Sequence, residues 1–246
     1  AEALSALLAH MLARRDQWRA LPLAEAGPEL RAKLERALRV ETQTALVRLV
    51  ALLPADLARA LVAHERYAAG WFDSDGGDPA RAGLLDALAD AGGVPPPSAE
   101  ALALWRALAD WLLVKGDARF RKSTGWNVNF GFPPKGEGPD ATARDAAVKA
   151  VRAWAAEAAT VPGLAAALHA VRTLPPPCYG DPAWTFVAGT LALLKPLAGQ
   201  LELVFARTGE TDFAEATLRA LAARGEAAAP GELVLATDLR VAQLLI

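Results

Sequence analysis

The stretch that decides the fold is LALWRALADWL, residues 102–112. Its large apolar side chains at Leu102, Trp105, Leu108 and Leu112 recur at the spacing that places them on one face of a helix. Most positions between them hold Ala, Leu or Arg, which favour helices. Ser98, which follows three prolines, is suited to the N-cap. The sequence therefore predicts a helix here that contributes to a hydrophobic core.

The same period recurs along most of the chain. It predicts helices at 4–12, from Pro28 to about 53, from Pro54 to about 67, at 84–88, 148–155, from Pro162 through 168, from Asp181 to 204, and from Asp212 to 221. Trp111 and Trp154 are expected to join Trp105 in the core. Only Gln243–Ile246 has the pattern of a short buried strand. We therefore expect an all-α fold: an irregular multi-helix bundle with one long basic loop and a short C-terminal strand as a further candidate element.

Composition excludes several classes of protein. The 246 residues are 53% hydrophobic, which is enough for a sizeable core, and the net charge of −2 excludes a chain that is polybasic throughout. A single cysteine, Cys178, excludes an intramolecular disulfide and a multi-cysteine zinc site. Because no apolar run approaches the ~20 residues of a membrane span and no secretory signal is recognised, we expect a cytoplasmic protein without a membrane partner.

Residues for catalysis are not grouped in this sequence. His10, His64 and His169 are far apart, and none has a second ligand three or four positions away. The sequence contains neither the glycine-rich loop that holds nucleotide phosphates nor the G-x-S-x-G turn of serine hydrolases. We therefore expect no catalytic residues, cofactor or metal in this chain.

The segment from Lys115 to Asp140 has no helical period and is unusually long for a connection. Residues 115–135 carry a local charge of +4, and Phe120, Trp126, Phe130 and Phe132 lie among the basic residues. Clustered cations bind phosphates, and aromatic rings stack on unpaired bases. The candidate DNA-binding residues are Lys115, Arg119, Arg121, Lys122, Trp126 and Lys135. The alternative, which residue types alone favour, is a solvated basic loop whose aromatic side chains anchor it to the helical core.

Six stretches resemble, in order, one protein family. They are ARRDQW at 13–18, LLVKG at 112–116 followed by Arg121 and Lys122, FGFPP at 130–134, LPPPCY at 174–179 with Trp184, ETDFAE at 210–215, and LVLATDLR at 233–240 with LLI at 244–246. The family is that of bacterial UvrD-like superfamily 1 DNA helicases related to AddA and RecB. No single motif is decisive, but the ordered set is specific and covers the chain from about Ala13 to Ile246.

The resemblance implies a position within a larger enzyme. Residues 1–209 would be the helical insertion called subdomain 1B, and residues 210–246 would return to the first RecA-like ATPase domain, ahead of motif II. The parent would be an ATP-dependent 3′→5′ DNA helicase of repair and recombination, in some members with a nuclease domain. ATP and Mg²⁺ would bind the parent, and this piece would contact DNA without catalysis of its own. The resemblance also implies a helicase–nuclease partner subunit as a second candidate partner.

Two other functions stay open at this point. The chain could be a protein-interaction or architectural helical module that positions a partner subunit or a nuclease domain. It could also be an unrelated all-α ligand-binding bundle, for which a buried, well-formed pocket of several hundred Å³ with convergent polar groups would be the structural sign.

Overall fold

The structure is a computed structural model, and it describes residues 2–19, 27–74, 77–122, 125–133, 141–226 and 229–230. Within these residues the fold is all-α, which confirms the predicted class. The α-helices are α1 (Glu2–Leu12), α2 (Arg15–Trp18), α3 (Pro28–Leu52), α4 (Ala55–Phe72), α5 (Pro79–Asp90), α6 (Leu102–Leu112), α7 (Ala141–Ala158), α8 (Leu164–Val171), α9 (Asp181–Thr208) and α10 (Phe213–Arg224).

Shorter elements complete the described chain. Two 3₁₀ helices cover Ala99–Ala101 and Val128–Phe130, and two-residue strands β1 (Gly225–Glu226) and β2 (Ala229–Pro230) pair antiparallel. The strand predicted at Gln243–Ile246 lies outside the described residues.

The chain forms two compact units. One comprises Ala1–Lys33 with Tyr179–Ile246, and the other comprises Leu34–Cys178. Contacts between residues distant in sequence join α1 to α9 and α2 to α10 within the first unit. The expected boundary at residue 209 stays a prediction. The assignment of residues 210–246 to a returning ATPase segment stays a prediction.

The core of the unit 34–178 is formed by α4, α5, α6, α7 and α8, together with Leu46 and Leu49 of α3. Trp105, Trp111 and Trp154 are all buried there, as the sequence predicts. Their indole N–H groups each reach a main-chain oxygen: Trp105 donates to Pro96 at 2.9 Å and Trp154 to Leu57 at 2.9 Å. Buried indoles with a satisfied N–H combine apolar packing with a directional bond, so they fix the relative positions of these elements.

The other unit is fixed by a buried arginine. The side chain of Arg15 on α2 is fully buried, and it donates to Asp212 at 2.7 and 2.8 Å and to Glu215 at 3.1 Å. Asp212 followed by Glu215 three residues later has the spacing of a capping box. Asp212 accepts the N–H of Glu215 at 2.8 Å, which confirms Asp212 as the cap at the start of α10. The Glu215 carboxylate accepts hydrogen bonds from Arg15 and from Arg219. Glu215 is therefore part of a cluster of charged side chains with Arg15, Asp212 and Arg219.

Two predicted helix starts are shifted in the structure. α8 begins at Leu164 because Gly163, with φ of +79°, takes the left-handed conformation at the position before it. The Asp181–Pro182 pair in the sequence predicts an N-cap at Asp181 and a first helical residue at Pro182, but α9 begins at Asp181 with Gly180 at the N-cap. Pro196 lies inside α9, which continues through it to Thr208.

α9 is long and apolar enough to cross a membrane, judged by length and composition alone. This differs from the expectation that no apolar run of that kind is present. One such helix is weak evidence for a membrane span, because the criterion is length and composition alone. The cytoplasmic location stays a prediction.

Candidate nucleic-acid interface

The basic loop begins with a tight turn directly after α6. Leu113 and Phe120 form an antiparallel bridge, and the N–H of Arg121 donates to the oxygen of Leu112 at 3.1 Å. Gly116 has a φ of +71°, a conformation that side chains disfavour, and it allows the chain to reverse. The cations between Lys115 and Lys122 are therefore carried on a hydrogen-bonded hairpin.

The aromatic side chains of the loop turn inward. Phe120, Trp126 and Phe132 are buried, and Trp126 makes edge contacts with Trp111 at 5.4 Å and with Phe132 at 5.5 Å between ring centroids. A predicted DNA contact, Trp126, is thereby corrected: its ring is only 4% exposed and offers no face to a base. Burial of large apolar rings stabilises the fold. These aromatic side chains therefore anchor the loop to the core and are not exposed for stacking on bases.

Arg121 supports the end of α6. Its Nε donates to the oxygen of Trp111 at 2.8 Å, its Nη2 donates to that of Asp110 at 2.8 Å, and its guanidinium lies 3.6 Å from the ring centre of Phe130. Burial, followed by the nearby charge of Arg172, lowers the pKa of Arg121 to about 10, so it stays charged at neutral pH. Carbonyl groups at a helix C-terminus lack partners within the helix, and this cation satisfies them.

Arg172 completes this arrangement from the residue after α8. Its guanidinium donates to the oxygens of Ala109 and Val114, each at 2.9 Å, and its Nε lies 2.8 Å from Asp110. Two arginines from different segments thus hold the end of α6 and the start of the hairpin together.

Replacing Arg121 with methionine is expected to lower the free energy of unfolding by about 1–2 kcal/mol, because carbonyl groups of α6 lose a charged donor. The matched replacement Lys122→Met, one residue away and exposed, should leave that free energy within about 0.5 kcal/mol of the parent value. Urea titration followed by circular dichroism measures both. Equal effects of the two replacements would show that Arg121 has no structural role.

The remaining predicted cations have different surroundings. Lys115 and Lys122 are exposed. Arg119 is also exposed, but Asp117 accepts from its Nε and lies against its Nη2, each at 2.7 Å. Lys135 lies outside the described residues.

A cleft of about 570 Å³ lies between the hairpin and two helices, and we call it the basic cleft. Among the described residues, every charged side chain that lines it is basic: Arg119, Arg121, Lys122 and, from α7, Arg152. The other described residues of the lining are Phe120 and five alanines, at 118, 155, 156, 159 and 165. Small side chains on α7 and α8 leave room beside the cations, so a chain of phosphates can approach them.

Sequence reasoning missed Arg152, and the contact that brings it to the loop explains why. The ring of Phe120 meets that of Trp154 edge-on at 5.8 Å between centroids, which holds the hairpin against α7. Arg152 is exposed two residues before Trp154, at the edge of the buried face of α7. The periodicity identifies that face, but it carries no information on which loop packs against it.

Other chemistry is sparse in the part of the chain that the structure describes. No group of three or more potential metal ligands occurs among those residues. Comparison of the chain with protein-family models, curated proteins and solved structures finds no match.

Proposed function

We propose that this chain is a DNA-binding helical module of a UvrD/AddA-like helicase and that it holds the phosphate backbone in the basic cleft. One observation carries the proposal: Arg119, Lys122 and Arg152 come from two separate elements and line one cleft. ATP hydrolysis, with ATP and Mg²⁺, would belong to the rest of the parent helicase of DNA repair and recombination. The ordered sequence resemblance supports that parentage.

The charge distribution favours phosphate over other ligands. The chain as a whole is slightly acidic, with a net charge of −2, so any attraction for DNA must arise locally. At physiological ionic strength, charges more than about 8 Å apart are largely screened, so cations that share a cleft act together and dispersed ones do not. A phosphate that enters the cleft competes with Asp117 for Arg119, which exchanges one anionic partner for another.

Replacing Arg119, Lys122 and Arg152 together with alanine is expected to weaken binding of forked DNA by about 100-fold at low salt, because three phosphate contacts are lost. The matched control replaces Arg36, Arg48 and Arg59, which are exposed on α3 and α4, and changes the net charge equally. Fluorescence anisotropy with a labelled fork measures both. We expect the control variant to bind DNA nearly as tightly as the parent chain.

Two results would contradict the proposal. Equal loss in the two triple variants would mean that net charge, and not the basic cleft, determines binding. Absence of binding by the parent chain at low salt would exclude the DNA-binding role.

One observation favours the second function, a protein-interaction or architectural module. α9 carries large apolar side chains that are exposed, namely Phe186, Leu193, Leu203 and Val204. Exposed apolar residues that recur along a helix are typical of a surface that another protein covers. If this chain, without substitutions, binds no DNA but retains a helicase–nuclease subunit, the result would favour this alternative.

A further inference from the structure

A second cleft lies beside the basic cleft and has different chemistry. It encloses about 340 Å³, and we call it the apolar cleft. Among the described residues its aromatic lining is Phe72, Trp111 and Phe130, and Arg81, Asp110 and Asn129 supply polar groups. Clefts of this size, with apolar walls and a few polar groups, are typical of sites for small ligands or single side groups.

The wall formed by the 3₁₀ helix Val128–Phe130 is held in place. The indole of Trp111 donates to the oxygen of Phe130 at 3.1 Å, and Arg81 donates to the oxygen of Asn129 at 3.0 Å. Gly131, with φ of +84°, follows, and a Cβ there would meet the Cβ of Ala68 at 2.4 Å. The close approach of the chain to α4 therefore requires glycine, and it fixes the wall before any ligand binds.

The lining suits a planar heteroaromatic group. Phe130 is only half-buried, so its ring can stack on a planar group, whereas Phe72 and Trp111 are buried and contribute apolar walls. The exposed side-chain amide of Asn129 can donate and accept hydrogen bonds. The guanidinium of Arg81 lies 5.6 Å from the ring centre of Phe72 and adds a cation at the rim. A nucleobase has this combination of a flat π surface and polar edges.

The two clefts share a boundary. Arg121 lines the basic cleft and stacks on Phe130, which lines the apolar cleft. Arg121 also donates to the oxygen of Asp110, and Asp110 lines the apolar cleft. The Arg121–Phe130 pair therefore lies between the two clefts, where a strand that occupies the basic cleft can reach it.

We infer that the apolar cleft binds one unpaired base of a DNA strand whose phosphates occupy the basic cleft. This inference rests on the proposed function and adds a base-binding step to it. Stacking on aromatic side chains tolerates every base, so the site selects unpaired DNA without selecting sequence.

The test compares two oligomers of equal length, oligothymidylate and an abasic phosphodiester with the same number of phosphates. The parent chain is expected to bind oligothymidylate about tenfold more tightly, since only that oligomer can stack a base. Ala107→Phe, which fills the apolar cleft from α6, should abolish this preference and leave the affinity for the abasic oligomer unchanged. Anisotropy titrations at one salt concentration measure all of these affinities.

The control is Ala103→Phe, an exposed alanine one turn earlier on α6 that does not line the cleft, and it should keep the preference. Leu84→Trp fills the same cleft from α5 and should repeat the effect of Ala107→Phe, which covers the case in which one variant misfolds. Circular dichroism checks the fold of each variant.

Three results would overturn the inference. Equal binding of both oligomers by the parent chain would remove the base site but keep the proposed function. If both Ala107→Phe and Leu84→Trp keep the preference for oligothymidylate, the base does not bind in the apolar cleft. No binding of either oligomer would reject the inference together with the proposed function.

Discussion

Replacing Arg15 with methionine is expected to lower the free energy of unfolding by about 3 kcal/mol. The Arg15 side chain is fully buried, and its removal leaves Glu215, which is 8% exposed, without its buried cation. Asp212 is 40% exposed, so solvent compensates part of the lost Arg15–Asp212 ion pair. The expected decrease in the free energy of unfolding therefore lies at the lower end of the range for buried ion pairs. Denaturant titration followed by circular dichroism measures the change.

The matched control is Arg14→Met, at the exposed neighbouring position, which should change the free energy of unfolding by less than about 0.5 kcal/mol. Similar losses in the Arg14 and Arg15 variants would reject the role assigned to the buried cluster.

The Arg15 variant should also lose a pH dependence that the parent chain has. Hydrogen bonds from Arg15 hold the pKa of Asp212 below its ordinary value. Burial acts to raise the pKa of Glu215, but hydrogen bonds from Arg15 and Arg219 outweigh it and the pKa lies below its ordinary value. Stabilisation from lowered carboxyl pKa values is present above about pH 4 and is lost as the pH falls through those values.

Replacing Glu65 with glutamine is expected to raise the free energy of unfolding at pH 7 by about 2 kcal/mol. Glu65 is fully buried on α4, and among the described residues neither carboxylate oxygen has a hydrogen-bond partner. Burial raises the pKa of Glu65 to about 8, so the folded chain holds a proton that the unfolded chain releases near pH 4.5. The contribution of Glu65 to the free energy of unfolding is therefore fully present below about pH 4.5 and falls as the pH rises towards 8.

The increase in the free energy of unfolding that Glu65→Gln causes at pH 7 should therefore disappear near pH 4. The neighbouring His64 is also buried, which lowers its pKa, but it is present in both chains and its contribution cancels in the comparison. The control is Glu157→Gln, at an exposed position on α7, with no expected change at either pH. A gain that is the same at pH 4 and pH 7 would contradict the assignment of an abnormal pKa to Glu65.

Helices and core tryptophans could be predicted from the sequence because both follow from local information. The apolar period of residues 102–112 identifies α6 and the buried side of Trp105, and neither depends on distant residues. The burial of Glu65 does not follow in this way. It lies on a helix that packs against both α5 and α7, so the buried arc is wider than one apolar stripe.

The candidate site could be predicted only in part. The concentration of cations at 115–122 is visible in the sequence, whereas their division into structural and exposed groups is not. Arg121 and Lys122 are adjacent and chemically similar, yet one binds main-chain oxygens of α6 and the other faces solvent. Arg152 joins them through packing of Phe120 on Trp154, a contact between residues far apart in the chain.

The salt dependence of DNA affinity tests the central claim most directly, because its slope counts the phosphates that the protein neutralises. For single-stranded DNA, the slope of log K against log salt is expected to be shallower by about 2 in the Arg119, Lys122 and Arg152 triple variant than in the parent chain. The Arg36, Arg48 and Arg59 control should keep the parent slope. A triple variant whose slope equals that of the parent chain would contradict a phosphate-binding role for the basic cleft.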